Sequence, residues 1–339
     1  MRSAFSLLAR LYGMGAAARV AAYRGGWLPR RELPRPVVSI GNLTAGGTGK
    51  TPLVRWTVDR LLQHGLRPAI LIRGYRRERG PDAIVIPPKP GRAPDPREVG
   101  DEAAWLAHLF PEVPIGVSAE RFRTGELIVA NYPLDVFVLD DGFQHLALTR
   151  ELDVVALDST RGISDRELLP AGLQREPCAA LRRAGMVVIT RSELADPTPL
   201  EAKVREINST APLVRARTRL DHLVVPGGAA VAPDEFIGKP VHAFCGIGNP
   251  EAFFRDLRLW GFDVVRESVF PDHHVYRNLN FTRGGSVAAL MTTEKDMMNL
   301  AGLHLGEIGV PLLVCAARLE LADASVFDEA LFGCLGGSS

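Results

Sequence analysis

An α/β fold, a mostly parallel sheet flanked by helices, is what this 339-residue sequence predicts, and two stretches carry the prediction. The first is residues 37–52, VVSIGNLTAGGTGKTP: an apolar strand, a glycine-rich turn, then Gly49-Lys50-Thr51 opening a helix of apolar periodicity. The second is residues 136–141, VFVLDD, four apolar residues that end in two acids. An unbroken apolar run marks a parallel strand covered by helices on both faces. Around these stretches short apolar runs alternate with helical spacing, the βαβ rhythm of a parallel sheet.

The first stretch has the order of a phosphate-binding P-loop. Glycines reach backbone conformations closed to other residues, so the turn can wrap a phosphate chain. The N–H groups of the turn and the helix N-terminus supply positive potential. Gly46, Gly47, Thr48 and Gly49 form the cradle. Lys50 would contact the β- and γ-phosphates of a nucleotide, and Thr51 would place its hydroxyl on Mg²⁺. The general motif has glycine where this chain has Thr44, with Gly41, Gly46 and Gly47 nearby. The second stretch has the Walker B form, a strand that delivers Asp140 and Asp141 towards Mg²⁺ at its C-terminal end. Alone such a strand is a weak signal; after a P-loop it is a specific one.

Composition narrows the class. With 46% hydrophobic and 23% charged residues the chain is globular, long enough for one large domain or two. A net charge of +1 gives no overall nucleic-acid footprint. The four cysteines, at 178, 245, 315 and 334, form no C-x-x-C pair, so they read as reduced thiols. Residues 1–35 carry seven arginines against Glu32 alone.

In chain order, residues 1–24 read as a helix rich in Ala, Leu, Phe and Met. Arg2, Arg10 and Arg19 interrupt it, so no run reaches membrane-spanning length. Arg2, Arg10 and Arg24 fall on one side, the form of a helix lying in a membrane interface. Packing on its own domain is an equal alternative. After the P-loop helix, Gly65 sits where a left-handed C-cap belongs. Residues 69–72 are a strand ending in Arg73-Gly74-Tyr75-Arg76-Arg77, where arginines could bind a phosphate or form a solvated run with Arg79. A strand at 84–86 precedes the Pro-rich loop 87–98. Asp101 opens a helix at 103–109, as an N-cap or as a carboxylate that accepts a hydroxyl proton.

A strand at 114–118, a helix at 121–131 and the Walker B strand follow. Strands at 152–157 and 187–190 flank the loop 168–177, and a helix covers 200–207. Short β pieces at 213–217 and 223–225 suggest a β-rich hinge over 209–240 between two lobes. The core lobe would be 25–208 and a smaller α/β lobe 241–339. That lobe has strands at 241–245, 263–266, 289–293 and 312–315, with helices at 251–260 and 324–335. The loop Asp272-His273-His274 suits a histidine beside a catalytic carboxylate better than a metal site, though a loop histidine bonded to backbone is the plainer alternative. Thr293-Glu294-Lys295-Asp296 lacks the N-K-x-D or T-K-x-D order of a guanine reader, which favours ATP over GTP. The competing class is a P-loop GTPase or metallochaperone-type switch protein.

The motifs G-N-x-x-x-G-G-T-G-K-T-P, R-G-Y, G-D-E, D-D-G-F-Q-H, L-P-A-G-x-x-R-E-P, G-I-G-N-P, F-x-D-H and T-T-E-K-D occur in that order between Ser39 and Asp296. This ordered set resembles the tetraacyldisaccharide 4′-kinase family of lipid A biosynthesis. That family's loop reads G-N-x-x-x-G-G, which accommodates Thr44. Leu173-Gln174 departs from the Pro-Leu expected before Arg-Glu, and Arg76 from the Gly frequent after R-G-Y.

The resemblance implies a P-loop core with a smaller lobe on a β-hairpin hinge. It implies ATP- and Mg²⁺-dependent phosphorylation of the 4′-hydroxyl of a tetraacyldisaccharide 1-phosphate. By the same resemblance Asp101 is the base and His273 its partner, with His274 a less secure alternative. Thr51, Asp140 and Asp141 organise Mg²⁺, and Arg121, His145, Arg175 and Glu176 serve the substrate headgroup or the metal shell. It implies a monomer on the cytoplasmic face of the bacterial inner membrane, with residues 1–24 in the interface.

Overall fold

The computed structural model of the protein describes residues 2–75, 77, 81–90, 94–228, 230–276, 287–300 and 309–336. Arg76 and Arg79 of the expected phosphate loop lie outside the described residues, as does the side chain of Arg2.

The strands are β1 (Val37–Asn42), β2 (Pro68–Ile72), β3 (Ala83–Ile86), β4 (Ile115–Ser118), β5 (Val136–Asp140), β6 (Leu152–Asp158), β7 (Met186–Thr190), β8 (Leu213–Val224), β9 (Ala230–Val231), β10 (Pro240–Cys245), β11 (Asp263–Val269), β12 (Ala289–Thr293) and β13 (Leu312–Leu321). The helices are α1 (Arg2–Arg24), α2 (Lys50–Gln63), α3 (Pro96–Val99), α4 (Asp101–Leu109), α5 (Arg121–Asn131), α6 (Thr198–Ile207), α7 (Pro250–Leu259), α8 (Glu294–Met297) and α9 (Ala324–Leu335).

One sheet runs β11-β10-β12-β13-β8-β7-β6-β1-β5-β2-β4-β3, with β9 on β8. β1 lies between β5 and β6 and pairs with both in parallel. The chain leaves β1 towards β2 on one side and later crosses to β6 on the other. That reversal places a ligand crevice at the C-terminal ends of β1, β5 and β6. All six residues of β1 and all five of β5 are buried, the polar Ser39, Asn42 and Asp140 among them. From α2, Leu53, Val54, Val58 and Leu61 pack with Val38, Ile40, Val138 and Val154 in the largest core cluster. A second cluster, with Val241, Ala243, Phe254, Leu257 and Met291, builds the other lobe.

β8 joins the lobes. Leu213–Arg215 pair in parallel with β7, while Ala216–Val224 pair antiparallel with β13. The two short pieces expected at 213–217 and 223–225 are therefore one twelve-residue strand. Its middle, Arg217 to Arg219, is polar because that stretch is bridged only by β13 and stands largely in solvent. The expected lobe 241–339 also needs correction at its end. α9 returns to the first lobe, where Phe327 and Leu331 join the α2 cluster. The Phe327 ring meets Trp56 edge-on at 4.7 Å, and Arg60 pairs with Asp328.

α1 touches its domain through a thin stripe. Ala9 is buried, and Gly13 lies so near Leu168 that a Cβ there would come within 2.9 Å of its methyl. Leu7, Leu8, Leu11 and Met14 are exposed, Met14 at 66%. Among the described residues no helix is long and apolar enough to cross a membrane.

Candidate active site

The P-loop is shaped by three requirements. Gly46 (φ 95°) and Gly49 (φ 82°) adopt left-handed backbone, and Gly49 directly precedes α2. Lys50 and Thr51 are thus the first two helical residues, where backbone N–H groups stand unpaired. The Asn42 amide donates to Thr44 O (2.5 Å) and Thr48 Oγ1 (2.6 Å), tying the loop across its mouth. Thr44 does not take up a positive φ, and it bridges to Gln174 while Ala45 N donates to Leu173 O (2.7 Å). The loop thus leans on the L-P-A-G segment rather than on a glycine at 44.

Beside it, β5 delivers two carboxylates in different settings. Asp141 turns out of the strand with φ 52°. It lies 3.5 Å from the Lys50 ammonium, and both its oxygens accept from Arg175 at 2.8 Å. Burial would raise its pKa, but Lys50 and Arg175 hold it below the usual carboxylate range. Asp140 is buried, and its Oδ1 has no protein partner. Burial, then the negative charges of Glu102 and Asp141, push its pKa well up. A buried, unpaired carboxylate oxygen among like charges is a position that a cation stabilises. The oxygen-only set of Asp140, Asp141 and Thr51 suits a hard ion that completes its shell with water and phosphate.

Asp101 and His273, far apart in sequence, meet across the lobe boundary. The imidazole Nδ1 lies 2.5 Å from Asp101 Oδ2. A carboxylate only accepts, so Nδ1 carries the proton. Asp101 is the first residue of α4, and Gly100 (φ 89°) occupies the cap position. The carboxylate is therefore not an N-cap; Oδ1 accepts from the adjacent Glu102 N (2.9 Å) and Oδ2 faces the histidine. Burial would raise its pKa, but the His273 hydrogen bond and the nearby Lys295 charge bring it below the usual range. His273 holds a left-handed backbone (φ 66°), unusual without glycine, and its N–H donates to Gly246 O (3.1 Å). His274 instead stacks on Phe270, with ring centroids 4.7 Å apart.

The other expected residues separate. Arg121 is buried near Asp141, Arg73 and Asp140, and burial lowers its guanidinium to about 10. His145 is half-buried; burial, then Arg121, Arg150, Arg19 and Arg73, lower it to about 3, so its ring is neutral. Arg175 faces Asp141. Glu176 is buried and gives both oxygens to Arg183 (2.8 and 3.1 Å), whose guanidinium covers the Phe143 ring. In this arrangement Glu176 braces the turn after β5 rather than facing the crevice. Sequence reasoning missed Lys295, which stands beside the dyad; T-T-E-K-D was visible as a family motif and as a failed base reader, with no role for its lysine. Arg77 donates to Pro81 O (2.9 Å) and Asp82 O (3.3 Å) within its own loop.

A P-loop at the switch point of a parallel sheet, a Walker B strand and a carboxylate–imidazole pair define a P-loop kinase. The sequence model described as tetraacyldisaccharide-1-P 4′-kinase, LpxK, matches residues 1–335. A tetraacyldisaccharide 4′-kinase of Pelobacter propionicus is 36% identical over 340 residues, covering 97% of this chain and 92% of that one. One from an Anaeromyxobacter species is 40% identical over 320 residues, covering 91% and 84%. The crystal structure of LpxK from Aquifex aeolicus in complex with ATP superposes with a TM-score of 0.80 at 29% identity, covering 98% and 99%. This chain belongs to the tetraacyldisaccharide 4′-kinase family.

Proposed function

We propose that the protein transfers the γ-phosphate of ATP to the 4′-hydroxyl of a tetraacyldisaccharide 1-phosphate, giving the 1,4′-bisphosphate precursor of lipid A. What carries the reading is a whole-length family match together with the Asp101–His273 pair, since a switch GTPase has no need of a base for an alcohol.

Gly46, Gly47, Thr48 and Gly49 hold the phosphate chain with backbone N–H groups, and Lys50 meets its outer end. Thr51 and Asp140 would hold Mg²⁺, which when bound would supply charge neutralisation for the transferring phosphate. The free Oδ1 supports Asp140 as the direct ligand, whereas Asp141, gripped by Lys50 and Arg175, fixes the positions of those two cations. Asp101 accepts the proton of the attacking hydroxyl. His273 orients that carboxylate through Nδ1–H and keeps it ionised. Arg121 and neutral His145 line the acceptor headgroup's side, where a loose phosphoryl transition state needs positioning more than strong base catalysis. Glu176 supports this face through Arg183.

The exposed Leu7, Leu8, Leu11 and Met14 of α1, with Arg10 beside them, suit an anionic bilayer interface. The acceptor's acyl chains would stay in the cytoplasmic leaflet of the inner membrane while its headgroup reaches ATP. Both members of the dyad come from one chain, so a monomer suffices. The test is transfer of labelled γ-phosphate from ATP to the tetraacyl disaccharide 1-phosphate in detergent, with and without Mg²⁺. Mg²⁺-dependent 4′-phosphorylation is expected; GTP hydrolysis without transfer would replace this reading with the switch-protein one.

A further inference from the structure

The T-T-E-K-D segment finds no place in nucleotide reading, yet its side chains grip three different parts of the molecule. Glu294 accepts from Arg55 on α2, the P-loop helix, at 3.0 and 3.3 Å. Asp296 is buried and stays within its own lobe, accepting from Gly246 N (2.9 Å), Tyr276 Oη (2.8 Å) and Thr293 Oγ1 (2.6 Å). Gly246 is the residue whose carbonyl holds the His273 N–H, and a Cβ on it would come within 2.9 Å of Pro271 O. Asp296 therefore sets the turn that presents His273.

Lys295 lies between these two anchors and reaches across the boundary. Its ammonium is 3.2 Å from Asp272 Oδ1 in the second lobe and 3.4 Å from Glu102 Oε1 in the first. Each of those residues adjoins one member of the dyad: Asp272 precedes His273, and Glu102 follows Asp101. Asp272 also lies 3.6 Å from His273 Nε2.

We propose that Lys295 is a positioning residue, one ammonium that bridges Glu102 and Asp272 and so holds the two halves of the Asp101–His273 pair in register across the lobes. The inference rests on the reading of that pair as the hydroxyl-activating site. Burial would discharge Lys295, but Glu102, Asp101 and Asp272 hold it charged. A single cation between two carboxylates acts at short range, because its net attraction falls once either lobe withdraws. Misplacing reacting groups by about 1 Å can cost ~10²-fold in rate, so a residue that never touches substrate can control turnover.

The experiment is a double-mutant cycle on the full-length enzyme, reading kcat and the KM for ATP and for the lipid acceptor. Lys295→Met should lower kcat by about 10- to 100-fold and leave the KM for ATP within about twofold, because the P-loop lies outside the bridge. Lys295→Arg, which keeps the charge, should recover most of the rate. In a His273→Ala background Lys295→Met should cost nothing further, since the pair it aligns is already gone. Wild-type kcat in Lys295→Met overturns the proposal. So does an undiminished loss in the His273→Ala background, which would place the ammonium on the transferring phosphate instead. If a thermal-unfolding scan shows Lys295→Met unfolded, Lys295→Gln takes its place in the same cycle with the same expected outcomes. Unchanged turnover in Asp101→Asn and His273→Ala would be a different failure, that of the hydroxyl-activating reading itself.

Discussion

The two halves of the candidate site are built in opposite ways. The phosphate side is assembled within one lobe: β1, the loop and the start of α2 are contiguous, and β5 pairs directly with β1. The proposed hydroxyl-activating side is assembled from residues 172 positions apart, with the pair closed at 2.5 Å. The cradle is contiguous in sequence, and the second lobe touches it only from outside, where Gly248 packs so closely that a Cβ there would come within 2.6 Å of Gly47 N. The dyad depends instead on how two distant chain segments pack against each other. We expect nucleotide binding and proton acceptance to respond separately to mutation.

Mutating the two sides should break the chemistry in distinguishable ways. Asp101→Ala should lower kcat by about 10²–10⁴-fold, the usual scale for loss of a general base, with the KM for ATP little changed. A parallel fall in ATP affinity, measured by nucleotide titration, would show that the two sides are not separable. Lys50→Ala should lower kcat by roughly 10²–10³-fold and also weaken ATP binding, since it removes the proposed contact on the phosphates and one of the two cations paired with Asp141. Retained ATP affinity in that variant would put Lys50 outside the ground-state complex.

The same contrast explains what could be read from the sequence. The P-loop and Walker B strand were legible because their chemistry is local: glycines at left-handed positions and an apolar run ending in acids. The strands at 289–293 and the helices at 121–131 and 324–335 fall where periodicity put them. Local physics left Asp101 between an N-cap and a proton-accepting carboxylate, and the G-D-E motif pointed to the second; Gly100, with φ 89°, takes the cap position and frees the carboxylate. β8 was split in two because its polar centre hides a period-2 pattern whose partner, β13, lies about a hundred residues on. The docking of α9 on α2 and the Lys295–Glu102 contact are likewise long-range pairings that no window of sequence contains.

A pH experiment sharpens the comparison further. The folded-state pKa of Asp101 lies below its ordinary value, with His273 and Lys295 overcoming the effect of burial. Such a group stabilises the fold fully above its unfolded pKa of about 3.9, and the contribution is lost as pH falls through the folded value. The stability difference between wild type and Asp101→Asn, from denaturant titrations, should be flat between about pH 5 and 8 and shrink below about pH 4. A difference that grows or shrinks through neutrality would mean that another group of the dyad region controls the docking.

The smallest effect tests how self-contained the phosphate cradle is. Thr44→Gly restores the general P-loop motif, and if the loop's shape came from glycine alone the change should help. Here Thr44 has no positive φ to relieve, and the loop is held through its bridge to Gln174, the Ala45–Leu173 hydrogen bond and the Asn42 amide. Glycine would add freedom to the unfolded chain and nothing to the folded one. Thr44→Gly should therefore destabilise the protein by about 0.4–1 kcal/mol in a denaturant titration while leaving kcat within about twofold. A clear gain in turnover would mean that Thr44 restrains the loop from its working shape. A loss of tenfold or more would mean that the L-P-A-G segment, acting through Thr44, is part of the cradle and that the phosphate side is less local than its sequence suggests.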